Sequence, residues 1–438
     1  MSSSRKLPSS RIGRLSKLGR LAGGIVGGAV GEGVRQLAQG KRPSLHGVLM
    51  TPGNFQRVSD RLAEMRGAAM KIGQLMSMEG GEFIPEEFNA LLARLRKNAY
   101  SMPLGQVGAV LKSNWGSDWQ NRFEYFNFTP LASASIGQVH EARLKGGERL
   151  AIKIQYPGVR QSIDADVDNV TSLLNMVGLV PRHLDFTGLL EEAKRQLHQE
   201  ADYNAEALHL ETFAGLLDQD PRFQLPKVYR DLTTPEVLSM QFLEGKPIES
   251  LETSPQELRD RVAQELLELT LREVFDWGLV QTDPNFANFH YDPITGSIQL
   301  LDFGASREYP AERRQSFLKL IGAVLDNQRE AMTAAAIEVG YLRSEDPDGY
   351  REIVLQLVST AAEPLKAADG YDFGASDLAS RMADITLQLR TQQTQGQLPP
   401  PDVLFLHRKL GGLYLLLNQL RARVNARRLI QPHRERLA

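Results

Sequence analysis

The chain has 438 residues, 42% of them hydrophobic and 24% charged, with a formal net charge of -2 at pH 7. That length buries a sizeable core and leaves room for two lobes, while the balanced charge excludes a nucleic-acid-coating or acidic-tail design. The absence of cysteine excludes disulfides, thiolate zinc sites, iron–sulfur clusters and a cysteine nucleophile, and no apolar run approaches the ~20 residues of a spanning helix.

The charge that exists is unevenly spread. Residues 1–43 hold nine Lys/Arg against one acid, Glu32. After a basic tail over residues 1–12, Gly19, Gly23, Gly27 and Gly31 recur at every fourth position from Ile12 to Gln39. On a helix this makes a nearly bare stripe, the small-xxx-small pattern that admits another helix, a second copy of the chain included. Leu15, Leu18, Leu21, Ile25 and Val34 add apolar surface. The segment reads as a bacterial membrane-surface arm or as an organellar transit peptide, with a glycine-rich linker as the plainer alternative.

Further along, Ser59–Met78 has Leu62, Met65, Ala69, Ile72 and Met76 at helical spacing, capped by Ser59 or Asp60. A second helix is expected over Glu86–Lys97. Strands follow at Phe123–Phe128, Ile136–Leu144 and Arg149–Tyr156, the last two joined by a Gly146-Gly147 turn. Helices are predicted near 160–178 and 187–217. A strand leads into Met240–Leu243, and an amphipathic helix over Pro255–Trp277 ends at Gly278 as a C′ residue. Asn288–Tyr291 and Ser297–Asp302 form a hairpin turned at 292–296. The remainder is helical, broken by a Gln/Pro linker at 391–401.

The chemistry concentrates at 280–304. Asp283 and Asn288 stand five apart in a turn-rich loop, and Asp302-Phe303-Gly304 follows across the hairpin. Phosphoryl transfer needs an acid to orient a nucleophile, plus an amide and a carboxylate to hold magnesium against the phosphates. Asp283, Asn288 and Asp302 match the spacing of D-x-x-x-x-N followed by D-F-G. Ala151-Ile152-Lys153-Ile154 reads as the strand that presents the phosphate lysine, with Lys153 facing opposite to Ile152 and Ile154. Upstream, Leu131-Ala132-Ser133-Ala134-Ser135-Ile136-Gly137-Gln138 occupies the place of a glycine-rich phosphate loop. Alanine and serine stiffen that turn and limit the approach of backbone N–H groups to phosphate, which, read alone, argues against a kinase.

At this loop the sequence resembles the UbiB/AarF family of atypical kinases, in its mitochondrial-type branch. The family's alanine-rich loop stands at 132–135, with Ser133 where alanine is usual. Its K-x-G-Q motif is Lys71-Ile72-Gly73-Gln74 and its E-x-D motif is Glu200-Ala201-Asp202, followed by Tyr203 and Glu206. The loop Gln281–Phe289 and the run His407-Arg408-Lys409-Leu410-Gly411-Gly412 also look like that branch. The resemblance extends over about residues 12–425. It implies an α+β, two-lobed protein-kinase-like fold with an N-terminal helical extension and a helical C-terminal region. The divisions are an arm at 1–46, the extension at 47–120, an N-lobe at 121–243 with inserted helices at 160–217, and a C-lobe at 244–438.

The resemblance further implies ATP and Mg2+ as cofactors. Met240, Gln241, Phe242 and Leu243 would form the hinge that meets adenine, although Gln241 stands where an acid is frequent. Asn288 and Asp302 would hold the metal, and Asp283, Lys153 and Glu206 would act in catalysis. On one continuous helix Asp202 and Glu206 lie about 40° apart while Glu200 points about 120° from Glu206. Glu206 is expected to pair with Lys153, as its place in the family motif implies. Glu200 and Asp202 are left for Lys71 or Gln74 in a gate over the site, with Gly73 letting that helix approach the other lobe. The implied output is lipid-coupled ATP hydrolysis supporting ubiquinone biosynthesis. The implied partners are isoprenoid-quinone precursors, their enzymes and an anionic membrane surface, and no nucleic acid. The expected location is the bacterial cytoplasm beside the inner membrane, or the mitochondrial matrix face if residues 1–43 are a transit segment. Rival readings are a small-molecule or lipid kinase and a non-catalytic nucleotide-binding scaffold. His140, His290, Trp115, Trp119 and Trp277 read as structural, and His183, His198 and His209 as no metal cluster.

Overall fold

The computed structural model describes residues 52–78, 86–97, 101–176, 186–392 and 399–436. The N-terminal arm and His183 lie outside them, as does most of the 391–401 linker. The chain divides into two compact units, one comprising Met1–Thr212 and Pro226–Phe242, the other Phe213–Leu225 and Leu243–Ala438.

The first unit opens with helices α1 (Pro52–Glu64), α2 (Arg66–Met78), α3 (Glu86–Lys97) and α4 (Leu104–Trp115). The single helix expected over Ser59–Met78 is thus two, parted at Met65. The first begins earlier, at Pro52, whose fixed φ suits a first helical turn. Helix α4 has no counterpart in the sequence reading. Its Val107, Val110, Leu111 and Trp115 are buried at helical spacing, but glycines dilute the signal. Strands β1 (Phe123–Phe126), β2 (Ala132–Ser133), β3 (Gly137–Leu144), β4 (Arg149–Gln155) and, after helices, β6 (Val237–Gln241) form an antiparallel sheet in the order β1-β3-β4-β6, with β2 on β3. Its core joins Val107, Leu111, Trp115 and Trp119 of the helical side to Ile152 and Ile154 of β4. His140 is buried and stacked on Phe126, and burial lowers its pKa, as expected of a structural histidine.

Between β4 and β6 lie α5 (Val159–Met176), α6 (Phe186–Glu200), α7 (Tyr203–Leu217) and β5 (Phe223–Gln224). The helix predicted over 187–217 is interrupted at Ala201-Asp202. No Gly or Pro stands there, so the break is tertiary in origin. Gln155 Nε2 donates to the carbonyls of Ala201 and Pro235, each at 2.9 Å, and Tyr203 N donates to Pro235 O at 3.1 Å.

The second unit carries β7 (Lys246–Pro247), α8 (Gln256–Leu271) and a π-helical turn at Arg272–Trp277 that ends on Gly278 at φ 65°. A positive φ is the conformation glycine adopts without a steric penalty. Then come β8 (Leu279–Gln281), β9 (Phe289–Tyr291), β10 (Ile298–Leu300) and β11 (Ser306–Glu308). Strands β9 and β10 pair as the predicted hairpin within a sheet ordered β5-β10-β9-β7, and β11 pairs with β8. Helices α9 (Ala311–Leu325), α10 (Arg329–Val339), α11 (Asp348–Ala361), α12 (Glu363–Lys366), α13 (Leu378–Gln392), α14 (Pro401–Gln419) and α15 (Ala426–Glu435) complete the unit, with β12 (Tyr371–Asp372) on β13 (Arg423–Val424). Trp277 packs on Phe213.

Asp220 ties the β5 segment to α8. It accepts from Arg222 and Arg272 at 2.8 and 2.6 Å. Chiefly the Arg222 guanidinium holds its carboxyl down to about 2, against the upward push of burial. A depressed carboxyl contributes stability above its unfolded pKa of ~3.9 and loses it as the pH falls toward 2. Asp220→Asn is expected to cost ~1–2 kcal/mol at pH 7, discounted for partial exposure, and almost nothing near pH 2. Urea denaturation at both pH values checks this.

Candidate active site

In the first unit Lys153 faces away from the core that its neighbours Ile152 and Ile154 enter. Its Nζ forms an ion pair with Glu206 Oε1, and the two side chains are only 8% and 6% exposed. Glu206 stands in the first turn of α7, so the break at Ala201-Asp202 sets where that turn begins. The break also overturns the reckoning of Glu200, Asp202 and Glu206 on one continuous helix. Asp202 lies outside both helices, where its Oδ1 accepts from Asn204 N at 3.1 Å and its Oδ2 lies 3.7 Å from Arg160. It does not meet Lys71.

Glu200 does. Lys71 Nζ pairs with Glu200 Oε1, while Ser135 Oγ donates to Glu200 Oε2 at 3.2 Å. One carboxylate thus joins α2 to the loop in the phosphate-loop position. A second tie comes from Arg66, whose Nη1 donates to Ala134 O at 3.1 Å. Sequence reasoning gave Arg66 no role. Ala132 and Ser133 form β2 against Val139 and Gln138, and Ala134 N donates to Gly137 O at 2.9 Å. A Cβ on Gly137 would stand 2.3 Å from Ile154 O, so only glycine lets the loop close on β4. Gln74 is half-buried and makes no side-chain hydrogen bond among the described residues. Gly73 lets α3 come close, since a Cβ there would lie 2.4 Å from Leu92 Cδ1.

At the expected hinge, Met240 and Gln241 close β6 against Ala151 and Leu150. Gln241 N donates to Lys227 O at 2.8 Å and Phe242 N to Arg149 O at 2.9 Å. Among the described residues Leu243 N has no backbone acceptor, which leaves a donor suited to a purine edge.

In the second unit the β9–β10 hairpin brings the ends of two loops together. Leu301 N donates to Asn288 O at 3.0 Å, Asn288 Nδ2 donates to Asp283 Oδ2 at 3.2 Å, and Gly304 N donates to Asp302 Oδ1 at 3.0 Å. Gln281 Nε2 spans the two loops, donating to Asp283 O at 2.8 Å and Asp302 O at 3.3 Å. Phe303 is buried against Phe213, ring centroids 4.5 Å apart. Asp283 Oδ1 accepts from Arg408 Nη2 at 2.5 Å, a contact to which the sequence pattern assigned no role.

The donor set fits magnesium. No group of three or more His, Cys, Asp or Glu able to hold a metal occurs among the described residues. One carboxylate and one amide oxygen, from Asp302 and Asn288, are the few hard ligands magnesium takes when phosphates and water supply the rest.

Residues 94–336 match the model of the ABC1 atypical kinase-like domain. The chain is 34% identical over 431 residues to the atypical kinase COQ8, mitochondrial, of Saccharomyces cerevisiae, covering 98% of this chain and 85% of that protein. It is 36% identical over 430 residues to the atypical kinase COQ8B, mitochondrial, of Rattus norvegicus, with 98% and 81% covered. Among solved structures, the Rv3197–erythromycin complex from Mycobacterium tuberculosis aligns with a TM-score of 0.62 at 27% identity, over 84% of this chain and 93% of that one. A kinase-like α+β fold, the Lys153–Glu206 pair and matches spanning nearly the whole sequence converge: the chain belongs to the ABC1 family of atypical kinases, the UbiB/AarF group, on its COQ8 branch.

Proposed function

We propose that this atypical kinase turns over Mg–ATP with water as the main acceptor, coupled to a lipid surface, in support of isoprenoid-quinone (coenzyme Q) biosynthesis. The observation that carries this reading is the double tie of the alanine-rich loop to α2, through Glu200 with Lys71 and through Arg66. Ordinary kinases leave that loop to glycines that follow the phosphates. Here a charged helix restrains it, which favours hydrolysis gated by a conformational signal over free phosphorylation of peptides.

Each residue has a definable task. Lys153, oriented by Glu206, would bind the phosphates, and the backbone of Met240–Leu243 would meet adenine. Asn288 and Asp302 would hold magnesium, which supplies charge neutralisation at the phosphates when bound. Asp283 would orient the attacking oxygen. In hydrolysis a water oxygen bonds to the γ-phosphorus, the bond to the β-phosphate oxygen breaks, ADP leaves, and the proton of water ends in solvent or on phosphate. Residues 1–43 would supply the membrane contact or a homodimer contact. Near an anionic surface each basic residue contributes about 1 kcal/mol. The mitochondrial location in the names of the COQ8 relatives supports the transit-segment alternative over the bacterial one. Among the described residues no helix is long and apolar enough to cross a membrane.

The test is ATP turnover by the full chain, with and without anionic vesicles, following where the phosphoryl group ends. Release as inorganic phosphate at a vesicle-dependent rate is expected. Stoichiometric transfer to an added lipid or small molecule would establish the rival kinase reading, and nucleotide binding without turnover the scaffold. Lys71→Ala should change the lipid response while nucleotide affinity holds. Its coupling with Glu200→Ala should reach at least ~0.5 kcal/mol in a double-mutant cycle, as expected of contacting residues.

A further inference from the structure

The loop that carries Asp283, Asn288 and Asp302 contains no Lys or Arg from Leu279 to Ser306. Its cation comes from elsewhere. Arg408, 125 residues downstream of Asp283 on α14, places Nη2 2.5 Å from Asp283 Oδ1, and the side chains are 14% and 25% exposed. Asn288 Nδ2 donates to the second carboxylate oxygen, Oδ2. Both oxygens of Asp283 are therefore held, one by a charged donor and one by a neutral one.

The helix that delivers Arg408 is itself locked in register on this loop. Lys409 Nζ lies 3.0 Å from Glu273 Oε2, with side chains 5% and 2% exposed. It also lies 3.4 Å from Oε1 of Gln281, the residue whose amide spans the Asp283 and Asp302 carbonyls. One turn on, Gly412 abuts Pro284, the residue after Asp283, so closely that a Cβ would stand 2.0 Å from the proline Cβ. Breaking a buried pair such as Lys409–Glu273 leaves an uncompensated charge, so α14 cannot slide or rotate on the loop without a large penalty. A charge-assisted hydrogen bond from a helix fixed in this way fixes the carboxylate in turn.

We propose that Arg408 is a positioning residue for phosphoryl transfer: from the C-terminal helix it sets the orientation of the Asp283 carboxylate that aligns the attacking oxygen. The inference rests on the role given to Asp283 in the proposed function. Arg408 acts through Asp283, so its removal slows the chemical step without loosening nucleotide.

Arg408→Ala in the full chain is expected to lower kcat ~100-fold, with KM and Kd for Mg–ATP within a factor of ~3, because misalignment at the reacting centre affects only the transition state. Added guanidinium ion should recover at least ~10-fold of that loss by refilling the site beside Asp283, a recovery that a merely structural arginine would not show. Arg408→Lys keeps a cation at this single-point contact and should retain an intermediate kcat. It also serves as the working variant should the alanine protein not fold. An unchanged kcat in Arg408→Ala would overturn the proposal. So would a kcat loss matched by loss of ATP affinity and of thermal midpoint, without recovery by guanidinium. Asp283→Asn, measured in parallel, separates the two layers. If Asp283→Asn turns over at full rate, the role of Asp283 in the proposed function falls and this inference falls with it. If Asp283→Asn is inactive and Arg408→Ala is not impaired, only this inference falls.

Discussion

Asp302→Asn should abolish the magnesium-dependent part of nucleotide binding and leave the fold in place. Asp302 Oδ1 accepts from Gly304 N at 3.0 Å, and an asparagine amide oxygen can keep that bond, so the turn into Phe303 survives. What disappears is a full negative charge among the few hard ligands the chain offers. Magnesium demands such ligands and sheds water reluctantly. Titration calorimetry with ATP, with and without magnesium, should show equal affinities for the variant and unequal ones for the parent. The unfolding free energy should shift by less than ~1 kcal/mol, as for substitutions that create neither a cavity nor an unpaired buried group. A magnesium dependence retained in full by the variant would remove Asp302 from the metal site.

Lys153→Ala should destabilise the first unit by ~3–5 kcal/mol, because it removes the cation paired with the buried Glu206 carboxylate. The pair is almost sealed, with side chains 8% and 6% exposed, and β4 is hydrogen-bonded on both sides by β3 and β6. Little water can enter beside the carboxylate. Replacing both members by apolar residues, Lys153→Met with Glu206→Leu, should recover most of that loss, since well-packed hydrophobic substitutes for buried ion pairs are often neutral or better. Urea denaturation of the two variants gives the comparison. Neither is expected to turn over ATP. A double variant no more stable than Lys153→Ala would show that the cost lies in packing rather than in stranded charge.

How far the sequence spoke depended on whether its signals were local. The spacing of Asp283, Asn288 and Asp302 and the position of Lys153 in an alternating strand are local patterns, and the structure places these groups in the loops flanking the hairpin and on β4. Gly278 marks the end of a helical run and sits at φ 65°. The break at Ala201-Asp202 has no local cause. Its residues are acceptable helix formers, and the carbonyl that leaves the helix is taken by Gln155, 46 residues away. A helical-wheel argument for Glu200, Asp202 and Glu206 was therefore bound to fail for Asp202, although the pairings of Glu200 and Glu206 need no such wheel. Gly73 shows a related limit. A bare position signals close approach, but not by what, and the approaching atom is a methyl of Leu92. Arg408 shows the same limit over a longer distance, since nothing in its own neighbourhood names Asp283.

The division of the chain bears on how it is made. The sequence passes between the two units three times, near residues 212, 225 and 242, so the first unit is not contiguous. Strand β4 ends at Gln155, and its neighbour β6 begins only at Val237, about 80 residues later. At synthesis rates of ~5–20 residues per second, β4 waits roughly 4–16 s for that neighbour. Throughout that interval a strand carrying Leu150, Ile152 and Ile154 presents an open hydrogen-bonding edge, the feature through which nascent chains pair wrongly. The ribosome-bound protein thus passes through a window in which Lys153 lies on an exposed edge strand. A chaperone that covers β4 should matter most during that window, and slowing translation between residues 155 and 237 should lengthen the exposure.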